Sequence, residues 1–266
     1  MPNSPTAAPA GSAVATYSII IPAYNEADFL PHTLDTLLDA MDTLASEHAK
    51  HGEVIVVDNN STDQTSAVAN NHPLAMDRLV VVFEAVNQIS KSRNAGASAA
   101  NTEQLIFVDA DTTVSAKLIL AALNALNDGV VGGGARVEID IAHRGGEFAT
   151  GLWNKFAGFA KYAAGCFLFC RKDAFDAVGG FSEKVYASEE IWLTRGLKKW
   201  GKLKGRSFVV LDLSVVTSAR KLEWLSTFAM LKQMAVIMFF PFALKHKRFC
   251  SAWYQRPDKQ VVSKQL

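Results

Sequence analysis

Strand-like and helix-like segments alternate through the first 111 residues, and this alternation constrains the fold more than any other feature. Apolar runs at 17–22, 53–58, 79–83 and 105–108 predict strands, the last of them buried on both faces. Between these runs, apolar residues at helical spacing predict helices. Strands that alternate with helices form right-handed β-α-β units around a parallel sheet. The sequence therefore predicts an α/β fold, with a mostly parallel central sheet flanked by helices.

Polar loops follow three of the predicted strands, at residues 22–26, 58–63 and 109–113. The carboxyl ends of parallel strands lie at one edge of a sheet, and open α/β sheets bind their ligands there. We therefore expect the three loops to form one site.

Two carboxylates, Asp109 and Asp111, come directly after the strand at 105–108. If the extended conformation continues, residues two apart project to the same side, and both carboxylates face one point. Like charges that close repel each other unless a cation lies between them or one takes a proton. Mg²⁺ or Mn²⁺ suits such a pair, because it binds carboxylate oxygens and keeps positions for phosphate. The alternative interpretation is a solvated, Asp-rich turn.

The second half of the chain is less regular. We expect a helix near 115–127, an aromatic-rich helix near 148–163, a strand at 165–170 and a last pair of strands within 206–217. Two further helix starts are predicted from capping residues. Residues 61–64 have the Ser-x-x-Gln form of a capping box, and Ser188 is a good N-cap before Glu189 and Glu190.

The two ends of the chain differ from its centre. Residues 1–16 are rich in Ala, Pro, Ser and Gly, which predicts a disordered tail rather than a signal peptide. Residues 221–266 form an apolar segment that Lys232 and Gln233 interrupt, and a basic stretch follows at 245–248. A membrane-spanning helix needs about 20 consecutive apolar residues. An interfacial helix on a membrane and a helix docked on the core or on a second subunit both remain open.

Composition narrows the compartment and the partners. The 266 residues carry a formal net charge of +1, which gives no indication of a nucleic-acid partner. Cys166 and Cys170 lie in an apolar run, and the three cysteines match neither a disulfide framework nor a metal-site spacing. We expect reduced core cysteines and a cytoplasmic protein, with peripheral binding to the inner face of the membrane as an option.

Several motifs in order resemble the family 2 glycosyltransferases. They are residues 19–26, 56–63, 93–96 and 109–111, and Gly179-Gly180-Phe181 followed by Ser188-Glu189-Glu190. The resemblance covers residues 17–220 and implies a GT-A fold, with a nucleotide-sugar half at 17–114 and an acceptor half at 115–220. It also implies a nucleotide-diphosphate sugar donor, Mn²⁺ or Mg²⁺ as cofactor, and inversion at the anomeric carbon.

The resemblance implies roles for residues of the first half. Its base and ribose cradle corresponds to Pro22, Ala23, Tyr24, Asn25 and Glu26. Asp58 matches the acid that accepts a hydrogen bond from the base, and Arg93 matches an arginine near the nucleotide. In the matching aspartate pair, Asp111 ligates the metal and Asp109 lies nearer the ribose.

In the second half, Glu190 lies where the family places its catalytic base, and Glu189 is the alternative. Partial burial beside another carboxylate predicts a raised pKa for Glu190. Arg220 is expected either to pair with the pyrophosphate or to form a surface ion pair. The chain departs from the family pattern at Asn59, where many members have Asp, and at Glu190, which is one methylene longer than the usual Asp.

The leading hypothesis is an inverting, metal-dependent hexosyl- or N-acetylhexosaminyltransferase, with a UDP-sugar favoured. The acceptor is a carbohydrate hydroxyl or a lipid-linked group, and the apolar, basic C-terminal segment favours the lipid. A nucleotidyltransferase usually needs a Gly-rich phosphate loop near the first strand, and residues 22–30 contain none. A catalytically weak nucleotide-binding or scaffold protein on the same fold also remains open, because fold does not fix function.

Overall fold

The computed structural model describes residues 15–140, 165–218, 244–250 and 254. The strands are β1 (Tyr17–Ala23), β2 (Gly52–Asp58), β3 (Leu79–Phe83), β4 (Gln104–Val108), β5 (Thr112–Thr113), β6 (Gly132–Asp140), β7 (Phe167–Arg171) and β8 (Phe208–Ser218). The helices are α1 (Leu30–His48), α2 (Thr65–Asn71), α3 (Ile89–Ala99), α4 (Ala116–Asn127), α5 (Lys172–Ala177) and α6 (Glu189–Leu203). Short 3-10 helices occupy Pro73–Met76 and Lys247–Phe249. The predicted tail, the aromatic helix near 148–163, Arg220 and the apolar run at 219–243 lie outside the described residues.

The strands form one eight-stranded sheet in the order β3-β2-β1-β4-β7-β6-β8-β5. β1 pairs in parallel with β2 and β4, and β2 pairs in parallel with β3, which confirms the predicted parallel half. β7 is antiparallel to both β4 and β6, so the second half of the sheet is mixed.

The prediction of two strands within 206–217 is wrong. A single strand, β8, pairs in parallel with β6 over its whole length. The pairing shifts between Ala135, which lies opposite Leu211, and Arg136, which lies opposite Ser214. Extra residues of β8 form a bulge at this point, and a bulge bends the strand. In the sequence, the residues of this bulge look like a break between two separate strands.

The central strands are buried on both faces. Ile19 and Ile21 of β1 face a core that α1 and α4 complete, whereas Ile20 faces a second core with residues of α3, α5 and α6. Alternate residues of a strand project to opposite faces, so an unbroken apolar run serves both cores. The three cysteines are buried and free, as expected for reduced core residues.

The second helix starts later than predicted, whereas the helix predicted after Ser188 begins at Glu189 with Ser188 at the N-cap position. α2 begins at Thr65, with Gln64 at the N-cap and no side-chain capping bond, so residues 61–64 are not a capping box. Ser188 precedes α6 in the left-handed region, at φ 60° and ψ 24°, and makes no capping bond either. Both segments belong to loops at the edge of the sheet, and contacts with other parts of the chain hold them. The Ser61 hydroxyl accepts from the N–H of Asn25, and the N–H of Tyr186, two residues before Ser188, donates to the carbonyl of Leu244.

The described C-terminal residues dock on the domain. Leu244 and Cys250 are buried against Val185 and Ala187, in the loop before α6. Within the described ranges, no helix is long and apolar enough to cross a membrane.

Candidate active site

The loops after β1 and β2 are joined to each other by hydrogen bonds. The backbone N–H of Asn59 donates to the carbonyl of Ala23 at 2.8 Å, and that of Asn25 donates to the Ser61 hydroxyl at 3.1 Å. The Asn25 side chain accepts in return from the backbone of Thr62 at 2.8 Å. The predicted loops at 22–26 and 58–63 therefore form one polar rim.

The side chains of Asp58 and Asn59 have separate structural partners. Asp58 is buried, and its Oδ1 accepts from the backbone N–H of Ser61 at 2.9 Å. The Asn59 amide donates to the carbonyls of Glu84 and Val86, at 3.2 and 2.7 Å. Asn59 therefore fixes the segment after β3, a role that sequence reasoning missed. An aspartate in its place would have no side-chain N–H to donate to these carbonyls.

Asp109 and Asp111 do not continue the strand as predicted. β4 ends at Val108, and Ala110 and Asp111 form a turn. Buried Thr33 of α1 braces this turn, because its hydroxyl donates to the carbonyl of Ala110 at 2.9 Å and accepts from the N–H of Thr112 at 3.2 Å. A polar residue within the leucine stripe of α1 is the signal that identifies Thr33.

The turn also meets the end of β8. The backbone N–H of Ser218 donates to the carbonyl of Asp111 at 3.1 Å. The chain therefore leaves β8 beside the aspartate pair, two residues before Arg220.

A buried arginine connects the aspartate turn to α6. Arg93 is 2% exposed, and its guanidinium donates to Asp109 Oδ1 and to the carbonyl of Gly165, both at 2.8 Å. It also donates to Glu189 Oε1 at 2.5 Å and lies 5.2 Å from the ring centroid of Phe181. The resemblance implies that Arg93 lies near the nucleotide. In the structure, the Arg93 guanidinium contacts Asp109, Glu189 and the carbonyl of Gly165, and it thereby positions the two carboxylates.

The charges in this cluster shift two pKa values. Burial alone lowers the pKa of Arg93, but Asp109, Glu189 and Glu190 outweigh it and the net shift is upward. Burial, reinforced by the charge of Glu189, raises the pKa of Glu190 from its ordinary 4.5 to about 8, although Arg93 acts in the opposite direction. Glu189 is thus the glutamate that pairs with Arg93, and Glu190 is the one whose pKa is raised.

The aspartate pair fits a metal that binds together with a phosphate ligand. Among the residues described, no group of three or more His, Cys, Asp or Glu is arranged to hold a metal ion. Mg²⁺ is usually bound through one or two carboxylates plus substrate phosphates, and therefore needs no such group. Asp109 Oδ1 accepts from Arg93, and Asp111 lies in the adjoining turn, so both carboxylates are candidate ligands.

A cleft of about 470 Å³ lies beside this cluster. Asn94, residues 178–184, Trp192, Leu193 and Gly196 line it. The aspartate turn and the two glutamates are not part of its lining, but Phe181, which contacts the Arg93 guanidinium, is.

The chain matches a known family in sequence and in fold. The profile of glycosyl transferase family 2 matches residues 18–178, more than half of the sequence. The chain belongs to glycosyl transferase family 2, and its mixed sheet with flanking helices is a GT-A fold.

Curated relatives share part of their length with this chain. Glycosyltransferase AglE of Haloferax volcanii is 26% identical over 190 residues, which span 67% of this chain and 60% of AglE. Poly(ribitol-phosphate) beta-glucosyltransferase of Bacillus spizizenii is 31% identical over 109 residues, 40% of this chain and 16% of that protein. The chain thus spans less than two thirds of either relative.

Solved structures share the fold at low sequence identity. S. aureus TarS 1-349, in complex with UDP-GlcNAc, superposes with a TM-score of 0.60 at 17% identity, covering 94% of this chain and 70% of TarS 1-349. Mannosyltransferase PcManGT from Pyrobaculum calidifontis, in complex with GDP-Man and Mn²⁺, gives 0.56 at 18% identity, covering 94% and 78%.

Proposed function

We propose that this chain is an inverting, metal-dependent glycosyltransferase that uses a nucleotide-diphosphate sugar, with a UDP-sugar favoured. The observation that carries the proposal is the Arg93 cluster. This cluster joins Asp109, beside the aspartate turn, to Glu189, and the adjacent Glu190 has a raised pKa. Perturbed carboxyl pKa values at such a junction are typical of catalytic sites.

The donor is assigned to the nucleotide-sugar half, residues 17–114. Residues 22–26 and Asp58 receive the base and ribose, because they form one rim at the carboxyl edge of β1 and β2. Asp111, with Asp109, is assigned to hold Mn²⁺ or Mg²⁺, and Arg220 to pair with the pyrophosphate. The metal supplies Lewis-acid stabilisation of the charge that develops on the leaving nucleotide diphosphate.

Glu190 is assigned as the general base of the acceptor half, residues 115–220. An acceptor oxygen attacks the anomeric carbon as the bond to the diphosphate oxygen breaks, which inverts that carbon. The hydroxyl proton moves to the Glu190 carboxylate. Glu189 is already committed to Arg93, and a base with a pKa near the working pH is efficient.

The raised pKa of Glu190 favours a hydroxyl acceptor over a phosphate. A phosphate oxygen is already an anion and needs no base, whereas a hydroxyl must lose its proton. A sugar hydroxyl, on a carbohydrate or on a glycolipid, is therefore the proposed acceptor class. Peripheral binding of residues 219–243 to a membrane is compatible with the glycolipid.

The test is nucleotide-sugar binding and hydrolysis across a donor panel, with and without Mn²⁺. We expect one nucleotide class to bind in a metal-dependent manner, and Asp111→Ala to abolish that dependence. Asp128→Ala, at an exposed carboxylate after α4, is the matched control. Binding of no donor under any metal would favour a scaffold protein on this fold and contradict the proposal.

A further inference from the structure

The last described residues of the chain pack against the loop that leads into α6. We call residues 244–250 and 254 the C-terminal clamp, and residues 182–188 the pre-α6 loop. Leu244 and Cys250 of the clamp form a buried cluster with Val185 and Ala187 of the loop. The rings of Tyr186 and Tyr254 pack against this cluster, edge to face, with centroids 5.9 Å apart.

The clamp holds both peptide groups of Tyr186. The backbone N–H of Tyr186 donates to the carbonyl of Leu244 at 2.7 Å. Its carbonyl accepts from the Tyr254 hydroxyl at 2.9 Å. A backbone segment held from both sides in this way has little freedom to rotate.

The clamp is also attached to the start of α3, the helix that carries Arg93. The backbone N–H of Ile89 donates to the Tyr254 hydroxyl at 3.4 Å, and Lys247 Nζ donates to the carbonyl of Asn87 at 3.1 Å. Gln88 extends this attachment into the pre-α6 loop, because its amide donates to the carbonyl of Val185 at 3.0 Å. The clamp, the loop and α3 are therefore one connected unit.

The pre-α6 loop needs such support because of its last residue. Ser188 has φ 60°, a left-handed conformation that a residue with a side chain adopts only when its surroundings hold it. Glu189, which follows it, is held by Arg93, and Ala187, which precedes it, is fully buried beneath the clamp. The direction in which Glu190 leaves this turn thus depends on both supports.

We propose that Tyr254 is a positioning residue, which acts through Tyr186 and the Ser188 turn to place Glu190 for proton removal. This inference rests on the proposed function of Glu190 as the base. The contacts of Tyr254 and Lys247 fall on the pre-α6 loop and the start of α3, on the side of the site that carries the base. Loss of Tyr254 therefore affects turnover rather than donor binding.

The test is Tyr254→Phe in the full chain, which keeps the ring and removes the hydroxyl. Loss of one hydrogen bond that positions the base is expected to lower kcat about tenfold, with the donor KM unchanged within about twofold. Amide hydrogen exchange at residues 186–188 should accelerate in the same variant. Tyr17→Phe, which removes a buried hydroxyl that has no hydrogen-bond partner among the described residues, is the matched control and should match wild type in both measurements.

A double variant separates positioning from general stability. If Tyr254 acts through Glu190, adding Tyr254→Phe to Glu190→Gln lowers kcat little further. A full tenfold additional loss, or an equal loss of donor affinity, would overturn the inference. If wild type transfers sugar from no donor, the proposed function fails instead. The exchange measurement then still decides whether the clamp orders the loop.

Discussion

The two sides of the proposed active site are held together in different ways. We name them after their proposed roles: the donor side comprises residues 22–26, 58–63 and 109–113, and the base side comprises the pre-α6 loop and the start of α6. On the donor side, the loops after β1 and β2 are joined by hydrogen bonds between residues 36 to 39 positions apart. On the base side, the contacts that fix the start of α6 join residues 68 to 165 positions apart. The loops after β1 and β2 are thus a local strand-and-loop arrangement. The aspartate turn, held by Thr33 and by the backbone of Ser218, and the base side are both assembled from distant parts of the chain.

This difference separates binding from chemistry. The donor loops keep their shape through contacts between neighbouring strands, which do not depend on α6. The start of α6 depends on Arg93, on the pre-α6 loop and on the C-terminal clamp together. Changes on the base side are therefore expected to lower turnover while donor binding persists, and changes on the donor side to do the reverse.

The largest expected effect comes from Glu190→Gln. Removal of a general base typically costs about 10²- to 10⁴-fold in rate, so we expect kcat to fall within that range while donor affinity is unchanged. For wild type, kcat/KM should rise with pH and level off above about 8, because Glu190 must be ionised to accept the proton. Glu138→Gln, at an exposed glutamate of β6, is the control. Equal loss of donor affinity would show that Glu190 belongs to the donor side.

Glu190→Gln should also change how the free energy of unfolding depends on pH. The pKa of Glu190 is higher in the folded state, so the folded protein binds more protons than the unfolded chain between about pH 4.5 and 8. The free energy of unfolding should therefore fall as pH rises through this window, and Glu190→Gln should reduce the decline. Denaturant titrations of both proteins at pH 5, 7 and 9 measure it. Parallel pH profiles would contradict the raised pKa.

Arg93→Met is expected to have the next largest effect, and it acts on both sides at once. Removal of one partner from a buried ion pair typically costs about 3–5 kcal/mol, because the remaining charge is left without compensation. Here Glu189 is 3% exposed, so the free energy of unfolding should fall by that order. Adding Glu189→Gln removes the buried charge and should recover part of the loss. No recovery in the double variant would show that the cost arises from lost packing.

The sequence predicted the parts of the fold that depend on local composition. The strand positions of β1 to β4 follow from apolar runs such as Ile19–Ile21, and the family motifs identify the acids. The turn after Val108 and the left-handed Ser188 could not be predicted, because long-range contacts with Thr33 and the C-terminal clamp stabilise them. Nor do motifs show which of the neighbouring Glu189 and Glu190 pairs with Arg93, because that depends on the position of the Arg93 guanidinium in three dimensions.

Asn59→Asp is expected to have a smaller effect, opposite to the one suggested by the family pattern. Many family members have Asp here, but in this chain the Asn59 amide donates to two carbonyl oxygens. A carboxylate cannot donate, and the loss of buried hydrogen-bond partners costs about 1–3 kcal/mol. We therefore expect lower stability and weaker nucleotide binding, measured by thermal unfolding and calorimetry. Asn124→Asp, at an exposed position of α4, is the control. Unchanged stability would show that the segment after β3 is held without Asn59.

Thr33→Val gives the smallest and most specific test of the donor side. The substitution preserves the shape of the side chain but removes the hydroxyl that accepts from the N–H of Thr112 and donates to the carbonyl of Ala110. A buried N–H left without its partner costs about 1–2 kcal/mol, and the turn that carries Asp111 loses its brace. Metal-dependent donor affinity should then weaken by up to about fivefold to thirtyfold, since each tenfold change corresponds to about 1.4 kcal/mol.

The control for Thr33→Val is Thr43→Val, because Thr43 is a half-buried residue of the same helix whose hydroxyl donates to the carbonyl of Asp39 within the helix. It carries the same change in helix propensity without touching the turn. If the two sides of the site are as separate as their contacts indicate, Thr33→Val leaves the pH dependence of turnover unchanged, because Glu190 is held from the other side. A shifted pH profile would mean that the aspartate turn and α6 move together through Arg93. The two sides would then form a single mechanical unit.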